Sequence, residues 1–133
     1  MRIKISAEEP IVFFVKVKGP RGEREFRAVL DTGSTECTVP VQDARALGYN
    51  AYFDPFTRTG EGVRGISKTD LFESDELVLD EIAVGDLVAR NVKAITHELP
   101  RWAGVEGVIG NSFLQHFKTS LDFKEGYLTI EPV

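Results

Sequence analysis

Residues 11–30 read IVFFVKVKGPRGEREFRAVL, two stretches rich in β-branched and aromatic residues on either side of GPRGE. Val15 and Val17 alternate with Lys16 and Lys18. A period of two places apolar side chains on one face of a strand and charges on the other. Pro20 and Gly22 supply turn chemistry between the two runs. The pattern predicts a hairpin over 11–30. It commits the first quarter of the chain to β structure before any helix can form.

The rest of the chain repeats that grammar. CTVP (37–40) is another short apolar piece. VQDARALG after Pro40 reads as a short helix with Gly48 as its stop signal. ELVLDEIAVGDLVARNVKAI (76–95) reads as strand, VGDL turn and strand. HELPRWAG (97–104) is loop-like, and Trp102 within it is expected to cap the core or a subunit contact. GVIG (107–110) is a short apolar run closed by glycine. NSFLQHF (111–117) is expected to form a helical turn or two, with Phe113, Leu114 and Phe117 on one face. SLDF, KEG and YLTIEP form a closing hairpin. Many short strands with Gly and Pro turns predict a mainly β barrel or sandwich. With 133 residues and 42% hydrophobic content, the chain can fill one core, so residues 1–133 are expected to form a single domain.

Bulk properties remove several function classes. A net charge of −5 argues against nucleic acid, because phosphate binding needs a basic surface. Cys37 is the only cysteine, so neither an intrachain disulfide nor a cysteine-based metal cluster can be built. It reads as a buried, inert thiol. His97 and His116 have no Cys or acidic partners at ligand spacing and are expected to lie exposed, His97 in a loop and His116 on a helix surface or end. No metal and no cofactor is expected. MRIKISAEEP lacks the apolar stretch of a signal peptide, and no apolar run reaches membrane-spanning length. The expectation is a cytoplasmic protein without membrane partners.

AVLDTGST (28–35) carries the chemistry. An ionised carboxylate beside an apolar strand is costly unless it is hydrogen-bonded or paired. Thr32 and Ser34 bring hydroxyl donors next to Asp31, and Gly33 lets the backbone turn tightly and present N–H groups. Two readings stay open on these residues alone: an Asx-turn at a strand end, or a carboxylate cradled for catalysis. TRTGEGVRGISKTD (57–70) is likewise either a flexible surface loop or a glycine-rich cover over a binding cleft. It is not a phosphate loop, because it lacks the Gly-Lys-Ser/Thr ending.

VLDTGST, answered far downstream by Val108, Ile109 and Gly110, resembles the retropepsin-like aspartic proteases, the clan of the retroviral proteases and their cellular relatives. TVP…ARALG, TGEG, GVIGNSFLQHF and LDFKEGYLTI are similar, in order, to the later segments of bacterial and archaeal members. The resemblance covers most of residues 11–131. It implies an all-β, closed barrel with one or two short helices, acting as an aspartic endopeptidase on peptide or protein substrates. It makes Asp31, Thr32 and Gly33 catalytic. It assigns substrate contacts to Ser34, to Gly60, Gly62, Gly65 and Ile66 of a flap, and to Val108 and Ile109 beside the site, although the last two also read as core residues. Viral members follow the downstream glycine with arginine. Asn111 and Ser112 stand here instead, so the salt bridges that arginine makes between subunits do not transfer.

Aspartic proteolysis needs two facing carboxylates that share one proton. Only one D-T-G is present. Asp122 comes closest to a second, but Phe123 and Lys124 follow it, and it reads as a solvated residue near a turn. A homodimer related by a two-fold axis would supply the second Asp31. The resemblance implies that chain termini pair at that interface, with RIKIS (2–6) and YLTIE (127–131) as candidates. Two rivals are a non-catalytic module of the same fold that binds extended peptides or mediates dimerisation, and a small barrel in which DTG is only a turn.

Overall fold

A computed structural model describes residues 1–49 and 76–133. The expected first hairpin forms from β2 (Val12–Gly19) and β3 (Gly22–Leu30), following β1 (Arg2–Lys4). Its register runs from Val12↔Val29 to Gly19↔Gly22. Val15 and Val17 are fully buried, while Lys16 and Lys18 are exposed. The side-chain period of the strand thus decides which face meets the core.

β4 (Cys37–Val39) and α1 (Val41–Ala46) follow, and α1 ends two residues before Gly48. β5 (Glu76–Val84) and β6 (Leu87–Thr96) form the second predicted hairpin. Its apolar alternation shifts phase. Leu77 and Leu79 face inward, then Ile82 and Val84; opposite them, Val92 and Ala94 face inward, then Leu87 and Ala89. The shift falls at Asp80–Glu81 and Arg90–Asn91, where Asn91 adopts φ 55°. Asparagine tolerates that left-handed conformation better than most residues. The kink keeps a long hairpin wrapped around one core. Glu81 at the bend meets both Lys18 (3.3 Å) and Arg90 (3.5 Å). Tyr49 pins the same region, its hydroxyl donating to the Lys18 carbonyl (3.1 Å) and accepting from the Asp80 N–H (2.7 Å).

β7 (Gly107–Ile109), α2 (Asn111–Leu114), β8 (Phe117–Asp122) and β9 (Tyr127–Pro132) complete the chain. Six strands close a barrel in the order β2-β3-β7-β4-β6-β5, and β1-β9-β8 form a second, three-stranded sheet. The fold is therefore the expected closed, mainly β barrel, with two short α-helices among the described residues. One hydrophobic cluster joins both sheets, with Val17, Leu79, Ile82, Ile109 and Phe113 packed in the same group as Leu128 and Ile130.

Three expectations need correction. Phe117 opens β8 rather than extending α2, although its ring still lies 4.9 Å from that of Phe113. Backbone pairing of residues 117–122 with 127–132 satisfies six residues at once, which a single further helical turn could not match. Trp102 is 88% exposed in a short 3₁₀ turn (Arg101–Ala103) between Pro100 and Gly104, outside the barrel, so of its two expected roles, capping the core or a subunit contact, the first is overturned. His97 is half-buried rather than exposed, and its N–H donates to the Val39 carbonyl at 3.2 Å. The two terminal segments pair with each other inside one chain, Arg2↔Thr129 through Lys4↔Tyr127.

Leu79 is fully buried in the kinked hairpin. Leu79→Ala is expected to cost about 2–5 kcal/mol. Denaturant unfolding would read this as a lower midpoint with an unchanged slope.

Candidate active site

β3 and β7 run parallel, with Val29 beside Val108 and Leu30 beside Ile109. Their ends therefore deliver Asp31 and Gly110 to the same place. The Asp31 N–H continues the ladder by donating to the Ile109 carbonyl (3.0 Å). The chain then turns, with the Ser34 N–H donating to the Asp31 carbonyl (3.1 Å). This turn aims the Asp31 carboxylate outward, and the residue is exposed. Each carboxylate oxygen has a donor. The Gly33 N–H reaches Oδ1 at 2.8 Å and the Ser34 hydroxyl reaches Oδ2 at 3.0 Å. Donors on both oxygens fix the plane of the carboxylate.

The loop is held from behind. The Asn111 N–H donates to the Ser34 carbonyl (2.8 Å) and the Ser112 N–H to the Thr35 carbonyl (2.9 Å). The Asn111 side-chain amide donates to the Thr32 carbonyl at 2.9 Å. Gly110 lies so close that a Cβ there would land on the Glu36 carbonyl oxygen and within 2.8 Å of the Ser34 carbonyl oxygen. Glycine at this point is a requirement of backbone crossing over backbone. Ser112 anchors the next layer, accepting from the Cys37 N–H (3.0 Å) and donating to the Lys93 carbonyl (2.7 Å).

Of the site residues expected from sequence, Asp31, Gly33 and Ser34 form one hydrogen-bonded unit. Thr32 is exposed in the same loop; among the described residues its hydroxyl makes no bond to Asp31, and its carbonyl serves as the anchor point for Asn111. Val108 is half-buried one strand away, whereas Ile109 is 1% exposed, with its side chain in the core and its carbonyl holding Asp31. Gly60, Gly62, Gly65 and Ile66 lie outside the described residues. Asn111 and Ser112 emerge as positioning residues. Their sequence signal was the departure from arginine after Gly110, which marked the position without disclosing its hydrogen bonds. His116 is exposed just past the end of α2, and Asp122 is an exposed residue at the end of β8 whose Oδ1 accepts from the Glu125 N–H (2.9 Å). Among the described residues no three His, Cys, Asp or Glu side chains gather as a metal site, and no helix is long and apolar enough to cross a membrane.

A family model described as aspartyl protease matches residues 15–113. The chain therefore belongs to this aspartyl protease family. Its fold is similar to that of a retropepsin-like aspartic protease from Rickettsia conorii, with a TM-score of 0.63 at 17% identity over 98% of this chain and 88% of that one. It is also similar to the retroviral protease-like domain of Ddi1 from Leishmania major, with a TM-score of 0.50 at 12% identity over 94% and 92% of the two chains. No curated protein matched by sequence.

Cys37 is fully buried behind the loop, and burial pushes its thiol above the ordinary 9.0 despite opposing hydrogen bonds from Ser112, Gly110 and Phe113. Burial likewise raises the Tyr49 hydroxyl above 10.0, with the Asp80 N–H opposing. Below these values folded and unfolded chains hold the same protons. Above them the unfolded chain releases protons that the folded chain keeps, so stability falls as pH rises. Thermal unfolding midpoints are therefore expected to drop from about pH 9 upward, and Cys37→Ala to make that decline shallower. At the crossing point, Gly110→Ala forces backbone apart and is expected to cost at least about 1–3 kcal/mol. Chemical denaturation of the variant beside the parent measures it.

Proposed function

We propose that the protein is an aspartic endopeptidase that hydrolyses peptide bonds between the Asp31 carboxylates of two identical chains. The observation that carries this reading is the Asp31 cradle. A carboxylate with Gly33 and Ser34 donors on its two oxygens is exposed at the end of a barrel strand, in a chain of the aspartyl protease family. An Asx-turn needs one oxygen bound to backbone. Here both oxygens are fixed and the group still faces outward.

In the proposed reaction the two carboxylates share one proton, because like charges at close range resist full ionisation. The ionised member removes a proton from a water, whose oxygen attacks the scissile carbonyl carbon. The protonated member gives its proton to the carbonyl oxygen. The resulting diol collapses with protonation of the leaving nitrogen, which breaks the C–N bond. General acid–base help of this kind contributes about 10²–10⁴-fold. Thr32, exposed beside Asp31, would hydrogen-bond across the axis. Val108, half-buried next to Val29, would form part of the cleft wall.

Asp31→Asn keeps the shape of the loop but cannot take the proton from water. Cleavage of an unstructured protein in mildly acidic buffer is expected to fall by at least about 10²-fold, while sedimentation and melting remain those of the parent. A variant that cleaves as the parent does would end the enzymatic reading and leave the cleft as a peptide-binding surface.

A further inference from the structure

A pocket of about 570 Å³ lies between residues 3–12 and β3, and the Asp31 loop is not part of it. Its volume falls in the range of small-ligand sites, about 300–1,000 Å³. The floor is apolar. Ile5, Ile11 and Val12 are half-buried there, and Ile5 and Ile11 also pack against the main core. The rim is ionic, with Lys4, Glu9 and Arg27 all exposed. Ser6 adds a hydroxyl to the wall. Its oxygen accepts from the Glu8 N–H at 3.1 Å, which leaves the hydroxyl proton to donate elsewhere.

The cations of this pocket stand out from those around them. β2 and β3 pair their other cations: Lys16 with Glu23 at 3.4 Å, Lys18 with Glu81 at 3.3 Å and Arg24 with Asp43 at 2.7 Å. Arg2 lies over the Tyr127 ring, 3.9 Å from its centre. Lys4 and Arg27 have no ion pair among the described residues. In a chain of net charge −5, two unpaired cations on one pocket mark it for an anion. Glu9, equally unpaired, limits that anion to a single charge, because a phosphate or a dicarboxylate would meet its repulsion. The planar fork of an arginine matches a carboxylate through two parallel hydrogen bonds. The apolar floor matches an aliphatic side chain, and the Ser6 hydroxyl matches an amide carbonyl. A carboxylate joined to an aliphatic side chain and an amide is the end of a peptide.

We infer that this pocket binds the free C-terminus of a peptide whose last residue is aliphatic. Arg27 and Lys4 hold the carboxylate, Ile5, Ile11 and Val12 receive the side chain, and Ser6 donates to the last amide carbonyl. Binding here is separate from any chemistry at Asp31. The wall of the pocket still continues into that loop, since the Ile11 carbonyl accepts from the Leu30 N–H at 2.8 Å.

Fluorescence anisotropy with a labelled peptide of three alanines and a C-terminal leucine tests it. Saturable binding is expected, and amidation of the peptide's C-terminus is expected to weaken it at least about ten-fold. Arg27→Gln is expected to weaken binding by a similar factor, Lys4→Gln by less and Asp31→Asn not at all. Glu9→Gln is expected to admit a peptide ending in aspartate, which the parent rejects. Melting of each variant is recorded beside it, and if Arg27→Gln unfolds, the acid and amide peptides compared on the parent still decide. Absence of saturable binding, equal binding of acid and amide, or binding unchanged in both Arg27→Gln and Lys4→Gln overturns the inference. Loss of binding in Asp31→Asn places the peptide at the catalytic loop and overturns it as well. Displacement of the peptide by an equal concentration of octanoate overturns the peptide assignment and gives the pocket to fatty acids.

Discussion

The structure depends on one crossing, where the turn after β3 passes over the glycine after β7. Ser34 and Thr35 offer carbonyls to the Asn111 and Ser112 N–H groups at 2.8 and 2.9 Å, and Gly110 leaves no room for a side chain between them. Without that contact the end of β3 would be a free loop, and a free loop cannot hold a carboxylate in one orientation. With it, the outward Asp31 is tied through backbone to two barrel strands and a helical turn. Precision here comes from short local bonds on a rigid scaffold, which is how functional groups are held within a fraction of an ångström.

Exposure of Asp31 in one chain carries its own meaning. A finished acid–base site is partly shielded from water, because low dielectric strengthens every interaction that acts in the transition state. The described residues of a single chain offer the carboxylate, its two donors and an exposed threonine. Under the proposed reading, a second chain supplies the facing carboxylate. The two structural relatives named above share the fold at 17% and 12% identity, a level at which backbone architecture is retained and side-chain roles must be argued from each chain's own contacts.

Much of this was legible in the residues. The alternation of Val15 and Val17 with Lys16 and Lys18 and the turn chemistry after it specified the first hairpin, and VGDL specified the second. The DTG loop and its Gly110 counterpart were visible because both leave apolar strands at glycines. Other features were not legible. The phase shift at Asp80–Glu81 and Arg90–Asn91 depends on the curvature of a closed barrel, which no local window encodes. Phe117 fits a helical face and a strand face equally well, and only the partner strand at 127–132 decides between them. Trp102 is large and apolar, yet its neighbours Pro100 and Gly104 steer it away from the core. The roles of Asn111 and Ser112 lie in bonds to Thr32, Cys37 and Lys93, positions from 19 to 79 residues distant in the chain.

The pairing of β1 with β9 inside one chain has a kinetic consequence. Residues near both ends are consumed by self-pairing, sealed by the Met1 ammonium on the Ile130 carbonyl at 2.9 Å. A subunit is then a completed object before it meets its copy, and neither must open to admit the other. Assembly under the proposed reading becomes a simple collision between finished bodies, second order in protein and reversible on dilution. Catalytic power would rise with the square of chain abundance when the protein is scarce and only linearly once it is plentiful, so synthesis rate alone could serve as its switch.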